Sequence, residues 1–460
     1  MTFDLVDVDI NSLTPSGDGV ARAGGRRMLV PFTIPGERAR VRVARGRGTD
    51  VDAVLDEIIT PSPHRVAAPC PHFGPCGGCT WQHVAYPHQL ILKRDLVARL
   101  VRATLKCPPD VRDTMAATPL DNPWGYRHKV HFVFGNSSRR GPLIMGHYAR
   151  GSRRVVPVHV CPVHDPRGNA FAFRLRDECA RAGVLAAGPA SGRDGDADRA
   201  AGTLRHVAIR VGARSAEMMA TLVVTRADDK RLRAATRRAM SGGHAPESLH
   251  LNLHPRHDAY IFGRETRRLV GSERMREDVG GVSFLVSPTA FFQTNVHAAE
   301  LLVHLVLEAI PPAAPVLDLY AGAGLFAIPL ARRGNRVIAV EESRAAVDDG
   351  TATLRLNRLE PGSCRFVARR VESAIRTIAP QDAEAAVLDP PREGCTRIVV
   401  DELFGRVRPA RAVYVSCNPE ALARDLAAAE RHGYRTEVLQ PVDMFPHTAH
   451  VETVATLRRA

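Results

Sequence analysis

The chain has 460 residues, with 63 Lys plus Arg against 49 Asp plus Glu and a formal net charge of +14. That length exceeds what one hydrophobic core organises, so two or three domains are expected, and the positive excess favours a polyanionic partner, nucleic acid before membrane. No window of about 18 uninterrupted apolar residues is present to span a bilayer, and residues 1–10 carry acids where a signal peptide has basic residues, so a cytoplasmic protein is expected. Residues 1–62 then read as short strands at 4–10, 27–32, 38–44 and 52–59, separated by Gly- and Pro-bearing turns. Regular short strands of this kind predict a small barrel. Arg22, Arg26, Arg27, Arg38, Arg40, Arg42, Arg45 and Arg47 give it a basic face.

Next comes Cys70-x5-Cys76-x2-Cys79, inside a Gly- and Pro-rich loop that can fold tightly round a bound centre. A fourth ligand must come from elsewhere. Cys161, in Val160-Cys161-Pro162, is the best candidate, because Cys107, Cys179, Cys364 and Cys395 lie in less suggestive surroundings. Zinc ligands usually come as two closely spaced pairs, so three clustered thiolates plus one distant one suit an iron-sulfur centre better. Leu90, Ile91, Leu92, Leu96, Val97, Leu100 and Val101 repeat at helical spacing and predict an amphipathic helix over 89–104. Strand-like segments at 129–134, 207–211, 220–224 and 249–253 predict a mostly antiparallel central domain that carries the metal loop. The Ala/Gly/Asp/Arg stretch 186–201 has almost nothing to bury and reads as a flexible insertion.

From residue 295 helix and strand alternate in the doubly wound manner: a helix over 296–310, a strand over 316–319, a helix to 332 and a strand over 336–340 ending on Glu341. The turn after the first strand is Tyr320-Ala321-Gly322-Ala323-Gly324-Leu325-Phe326, without the third glycine of a dinucleotide fingerprint. Asp318-x3-Gly322-x-Gly324, with Glu341 at the next strand end, is the pattern of an S-adenosylmethionine pocket; the glycines admit the cofactor to the backbone and the acid accepts its ribose hydroxyls. Farther on stand Asp389-Pro390-Pro391-Arg392-Glu393-Gly394, then Ser416-Cys417-Asn418-Pro419 where the strand 412–415 runs out, then Asp443-Met444-Phe445-Pro446-His447-Thr448-Ala449-His450-Val451-Glu452. One cysteine at a strand end reads as packing when alone. A cysteine held at a strand end can also be a nucleophile, and a carboxylate and a Pro-rich turn share its C-terminal region.

On residues 416–425, Gly433-Tyr434 and 443–452 the chain resembles the RNA uracil-5 methyltransferases. The resemblance implies that Cys417 adds to uracil C6 so that C5 can take the sulfonium methyl, and that Glu452 then removes the C5 proton. It also implies cofactor contacts at Gln293, Tyr320, Glu341 and Asp389, beside the turn glycines Gly322 and Gly324, with Asp389 on the uracil edge or the cofactor. Ala321 and Leu325 depart from the Cys and polar residue usual in the family. Phe291 would stack on a flipped uracil, and Arg127 and Lys129, in Pro123-Trp124-Gly125-Tyr126-Arg127-His128-Lys129, would meet RNA phosphates; His128 departs from a usually more basic run. Leu13-x2-Ser16-Gly17-Asp18-Gly19-Val20-Ala21 and Val30-Pro31-x3-Pro35-Gly36-Glu37 look like the TRAM domain, an OB-like RNA-binding barrel, and Cys70, Cys76, Cys79 and Cys161 match the ligands of a [4Fe-4S] cluster. The implied fold is α/β: a TRAM β-barrel (1–62), a mostly antiparallel central iron-sulfur domain (63–88 and 119–283) and a Rossmann-like S-adenosylmethionine methyltransferase domain (89–118 and 284–460). Barrel and cluster together favour 23S rRNA over tRNA as substrate; a monomer without a membrane partner is expected. The alternatives are tRNA T-loop uridine methylation and a non-catalytic RNA chaperone or ribosome-assembly factor; an intact Cys417 and Glu452 argue against the latter.

Overall fold

Strict alternation builds the first sheet. In Arg38–Ala44 the side chains of Arg38, Arg40 and Arg42 point outward while Ala39, Val41 and Val43 are buried, the period-2 pattern of a strand with one covered face. The computed structural model describes residues 3–44, 50–138, 141–187, 202–256 and 260–460, so Arg45, Arg47 and nearly all of the expected insertion 186–201 lie outside the described residues. The chain divides into two units, residues 1–123 with 308–310 and 375–460, and residues 124–307 with 311–374. Among the described residues no helix is long and apolar enough to cross a membrane.

The first unit opens with six strands in the order Phe3–Asp9, Arg38–Ala44, Asp50–Thr60, Arg26–Val30, Gly19–Ala23, Ser12–Leu13. Two register shifts against Asp50–Thr60 bend the sheet as bulges do, so it curls over Val8, Ile10, Ala21, Met28, Val30, Ala39, Val41, Val43 and Ala53. Ser12–Leu13 and Gly19–Ala23 are strands in a segment whose Gly and Asp content reads as turn. Three arginines of the basic face are paired across the sheet: Arg27 with Asp50 (2.8 Å), Arg40 with Asp7 and Glu57 (2.9 Å each) and Arg42 with Asp56 (3.3 Å). Arg22 and Arg38 stay exposed.

The same unit holds the strands Ala385–Leu388, Arg411–Ser416, Glu452–Arg459, Tyr434–Asp443 and Met115–Ala116, in that spatial order. The first two are parallel and the next two antiparallel. Helix Tyr86–Thr104 begins with a proline in its first turn, where the missing N–H costs nothing. Its inner face is not wholly apolar: Lys93 and Gln89 are fully buried. The Lys93 ammonium pairs with Asp443 and donates to the Phe445 carbonyl (3.0 Å). The Gln89 amide donates to the carbonyls of Trp81 (3.1 Å) and Val84 (2.9 Å), and its oxygen accepts the His447 N–H (2.8 Å). Trp81 in turn packs with Leu13, Ile34, Val84 and Ala449 and donates its indole N–H to the Gly17 carbonyl (2.9 Å). The cysteine loop 70–79 therefore belongs to this first unit, anchored through the residues that follow it.

In the second unit seven strands run Val155–Pro157, Leu143–Tyr148, Lys129–Asn136, Leu204–Val211, Met218–Val224, Ser248–Leu253, Glu265–Val270. All neighbours are antiparallel except Met218–Val224 with Ser248–Leu253. Helices Pro166–Arg181 and Lys230–Met240 cover one face through Phe171, Leu175, Cys179, Leu232, Ala235 and Ala239. Asp165 and Asp229 cap them by accepting the backbone N–H of Arg167 (2.9 Å) and of Arg231 (2.9 Å). The unit continues with hairpin Met275–Val279/Val282–Val286 and three parallel strands, Cys364–Ala368, Arg336–Glu341 and Pro315–Leu319, interleaved with helices Ala327–Arg332 and Arg344–Leu356.

Removing one partner of a buried ion pair strands the other charge, at a cost of about 3–5 kcal/mol. Lys93→Met is therefore expected to lower the unfolding midpoint of the first unit sharply, and Lys93→Met with Asp443→Leu to recover most of that loss. Denaturant melts of the single and double variants measure the coupling; strictly additive losses would show that the pair does not act as one.

Candidate active site

Cys417 is held from three directions. The Ser416 hydroxyl donates to the Asn418 carbonyl (3.0 Å) and accepts the Asn418 N–H (3.2 Å), closing a small ring round the cysteine. The Asn418 side-chain oxygen caps helix Pro419–Arg431 by accepting from Glu420 (3.0 Å) and Ala421 (3.4 Å), while its amide donates to the Arg392 carbonyl (2.9 Å). The ladder between the two strands ends on the pair Ser416–Thr453, so Cys417 and Glu452 are the next residues beyond that pair, and Glu452 acts electrostatically on the thiol. Asp389, one residue past Ala385–Leu388, belongs to the same cluster, since its charge acts on both Cys417 and Glu452. The loop 389–394 is fixed by Asp425, whose carboxylate accepts the Cys395 N–H and the Tyr414 hydroxyl (2.7 Å each). Gly394 sits at φ +79°, and a Cβ there would come within 2.5 Å of that carboxylate.

Burial dominates the electrostatics. Glu452, only 6% exposed, is pushed up to about 8 by burial and then by Asp389, against the opposing pull of Arg392. Burial likewise raises Asp389 to about 7. The half-buried Cys417 thiol is pushed up to about 11 by burial and by Glu452, again with Arg392 pulling the other way. The free site thus rests with the Cys417 thiol and the Glu452 carboxyl protonated near neutral pH.

In the second unit Tyr320, Gly322 and Gly324 all adopt positive φ (63°, 57° and 88°), a tight turn between Pro315–Leu319 and Ala327–Arg332. Glu341, at the end of its strand, accepts the backbone N–H of Gly322 (2.9 Å) and of Ser343 (2.7 Å). A Cβ on Gly322 would meet nothing within 4 Å, so open space lies beside a carboxylate fixed at a strand end. Gln293 is half-buried and Phe291 is 69% exposed. Two cations set the turn before Phe291. Lys129 and Arg210, directly opposite each other in the sheet, both donate to the Ala290 carbonyl. Lys129 is 9% exposed and burial, with Arg210 and Arg127 next, holds it well below its usual range. Its ammonium thus faces the protein interior, and Arg127 is the half-buried member of the expected phosphate pair. His128 accepts the Val296 N–H at the start of helix Val296–Ala309 (3.4 Å), a structural use for the residue that departs from the basic run.

The metal-ligand candidates fall in two places. Cys70, Cys76 and Cys79 are half-buried on one loop of the first unit, where Cys76 Sγ accepts the Gly78 N–H (3.4 Å). The Cys76 thiol is raised by burial and by Cys70. Cys161, in the second unit, stands with His147 and His164, their ligand atoms within 4.8 Å of one another.

Residues 215–460 match the model of the tRNA (uracil-5-)-methyltransferase family. This chain belongs to that family. Residues 6–64 match the TRAM domain of tRNA (uracil(54)-C(5))-methyltransferase. An uncharacterized RNA methyltransferase of Gloeobacter violaceus is 35% identical, over 99% of this chain and 96% of its own length, and one of Halalkalibacterium halodurans is 33% identical over 99% and 97%. Among solved structures, the Pyrococcus abyssi tRNA (uracil-54, C5)-methyltransferase in complex with S-adenosyl-L-homocysteine superposes with a TM-score of 0.78 at 26% identity, covering 98% of this chain and all of that one. The fold is thus an α/β methyltransferase fold with an N-terminal TRAM domain.

For this uracil-5 methyltransferase family member, sequence reasoning passed over two site residues. Arg392 is the cation beside Cys417 and Glu452, and its place in Pro391-Arg392-Glu393-Gly394 was the available signal. Arg210 sits in an apolar strand and is visible only once the sheet register is known. The electrostatics fix a testable sign. Glu452→Gln removes a negative charge next to the thiol and is expected to lower its pKa, raising iodoacetamide labelling of Cys417 at pH 8–9 by about three- to tenfold. Arg392→Gln is expected to slow labelling. Peptide mass mapping across pH reads both, and unchanged rates would show that the two groups do not sense the thiol.

Proposed function

We propose that this chain is an S-adenosylmethionine-dependent RNA methyltransferase that methylates C5 of a uridine through a covalent Cys417 adduct. The observation that carries the reading is that Cys417 and Glu452 lie next beyond the last pair of two adjacent strands and act on each other electrostatically, within the matched family segment. Cys417, once deprotonated, attacks uracil C6; the new C–S bond turns the conjugated ring into an enolate nucleophilic at C5. S-adenosylmethionine supplies the electrophilic methyl as a sulfonium. The open space beside Gly322 and the strand-end carboxylate of Glu341 fit its ribose, and Gln293, Tyr320 and Gly324 would complete the hold. With the methyl on C5, Glu452 in its ionised form takes the remaining C5 proton, the C5–C6 double bond reforms and Cys417 leaves as thiolate. A carboxylate raised from 4.5 to about 8 is a stronger base for that step. Asp389 would bond the uracil edge or the cofactor. Phe291, a large exposed aromatic, would stack on the flipped base, with Arg127 on phosphate and Lys129 supporting the turn that presents Phe291.

The reading includes a [4Fe-4S] cluster on Cys70, Cys76, Cys79 and Cys161, supported by three thiols on one loop with an N–H···S bond at Cys76. It also includes the three-domain division with the central part as iron-sulfur domain. Anaerobically purified protein should then be brown, with about four irons per chain; colourless, zinc-bearing protein would remove the cluster.

Barrel plus cysteine loop favour 23S rRNA as substrate, acted on by a monomer. A second reading, the T loop of tRNA, is favoured by the full-length likeness to the Pyrococcus abyssi tRNA enzyme and by a TRAM match named for such enzymes. Mapping 5-methyluridine in rRNA and tRNA from a strain lacking the protein tests both. Loss at one 23S position supports the first reading, loss from tRNA supports the second, and no loss removes the activity. Complementation with Cys417→Ala should fail without accumulating adduct. Glu452→Gln should accumulate a protein–RNA complex that survives denaturation, because the adduct forms and is not resolved.

A further inference from the structure

His147, Cys161 and His164 converge on one point of the second unit. His147 comes from strand Leu143–Tyr148, opposite Val156 of the edge strand. Cys161 and His164 come from a single turn, closed by the His164 N–H on the Cys161 carbonyl (3.2 Å), that leads into helix Pro166–Arg181. One thiol and two imidazoles make a ligand set that suits zinc. Tetrahedral geometry needs these ligand atoms about 3.3–3.7 Å apart, given Zn–N and Zn–S bonds of roughly 2.0–2.3 Å. The observed span of at most 4.8 Å closes by small side-chain rotations.

A second observation points the same way. The Asn169 amide donates to the Cys161 carbonyl (2.9 Å), which orients its oxygen toward His164 Nδ1 (3.2 Å). That oxygen can only accept, so Nδ1 carries the proton and Nε2 keeps its lone pair. Fixing the tautomer and ring of a histidine through its other nitrogen is what the outer partners of metal-bound histidines do. Phe132 walls the site, stacked on His147 (5.0 Å) and edge-on to His164 (5.1 Å).

We propose that His147, Cys161 and His164 form a binding site for a divalent cation of the zinc class, filled when Cys161 is not ligating an iron-sulfur cluster. Three protein ligands leave a fourth position to water. The two occupancies exclude each other at Cys161, so the site would hold this thiolate in cluster-free protein.

The test uses the full chain carrying Cys70→Ser, Cys76→Ser and Cys79→Ser, which can form no cluster and offers no competing thiol loop. Titrated with Co2+, it should develop a near-ultraviolet thiolate-to-cobalt band that saturates at a single equivalent and that Zn2+ displaces. Adding Cys161→Ser should abolish the band, and His147→Ala or His164→Ala should abolish it or weaken binding on the order of 100-fold. Asn169→Ala should weaken it by roughly 10- to 100-fold. Absence of the band in protein with a wild-type circular dichroism spectrum, or a band unchanged in both histidine variants, would overturn the proposal. If the triple variant does not fold, cluster-stripped wild-type chain gives the same answer. Zn2+ should shield Cys161 from alkylation, the shielding should vanish in His147→Ala, and labelling indifferent to Zn2+ would overturn it. None of these readouts depends on methyltransferase activity.

Discussion

A lysine ammonium buried against an aspartate sets the frame of the first unit. Lys93 lies on the inner face of helix Tyr86–Thr104, and Asp443 ends strand Tyr434–Asp443. Their pairing ties a helix to a strand more than three hundred residues away in sequence. Burial draws the ammonium down from its usual range while Asp443 holds it charged. Such a pair contributes little net stability compared with apolar packing, but it tolerates only one arrangement, because either charge left alone is costly. Gln89, one turn before Lys93, extends the constraint to His447, Trp81 and Val84. The loop between Asp443 and Glu452 is thereby held at both ends and in the middle, and Glu452 enters its strand at a fixed height beside Cys417.

Glu452 follows from that frame. A carboxyl this buried would be a liability in a core, and here burial and the neighbouring Asp389 raise it into the range where a general base works near neutral pH. Arg392 opposes the shift on both Cys417 and Glu452 from an exposed position, so its influence is the part most open to solvent screening. The Asn418 amide links the Arg392 backbone to the cap of helix Pro419–Arg431. Three segments far apart in sequence are therefore positioned by one another rather than by any single loop.

How much of this was legible in the sequence depends on whether periodicity or register carried the information. The helix–strand alternation from residue 296 to 341 reads to within about a residue, because long apolar runs with a Gly-rich turn leave few alternatives. Helix Lys230–Met240 is hidden in the sequence, since eleven residues with five Lys or Arg and only a narrow Leu232/Ala235/Ala239 stripe resemble a solvated loop. Helix Pro166–Arg181 is legible in Asp165-Pro166, a cap followed by a first-turn proline. Strand Gly19–Ala23 was masked by its turn-like composition. Among candidate site residues, the segments of Cys417 and Glu452 stood out by motif, whereas the interior position of Lys129 follows from strand alternation: it shares a sheet face with Arg210, opposite the face of Val130 and Phe132. A basic residue two positions from Arg127 gives no sign of that in one dimension.

The resting state of Cys417 has a consequence for the chemistry of survival rather than of methylation. Peroxides and electrophiles react with thiolates, not thiols. A thiol pushed up to about 11 is ionised in only about one molecule in ten thousand at pH 7. The Cys417 thiol is thus kept slow to react while the site is free. The burial that makes this thiol slow to ionise also shields it from oxidation.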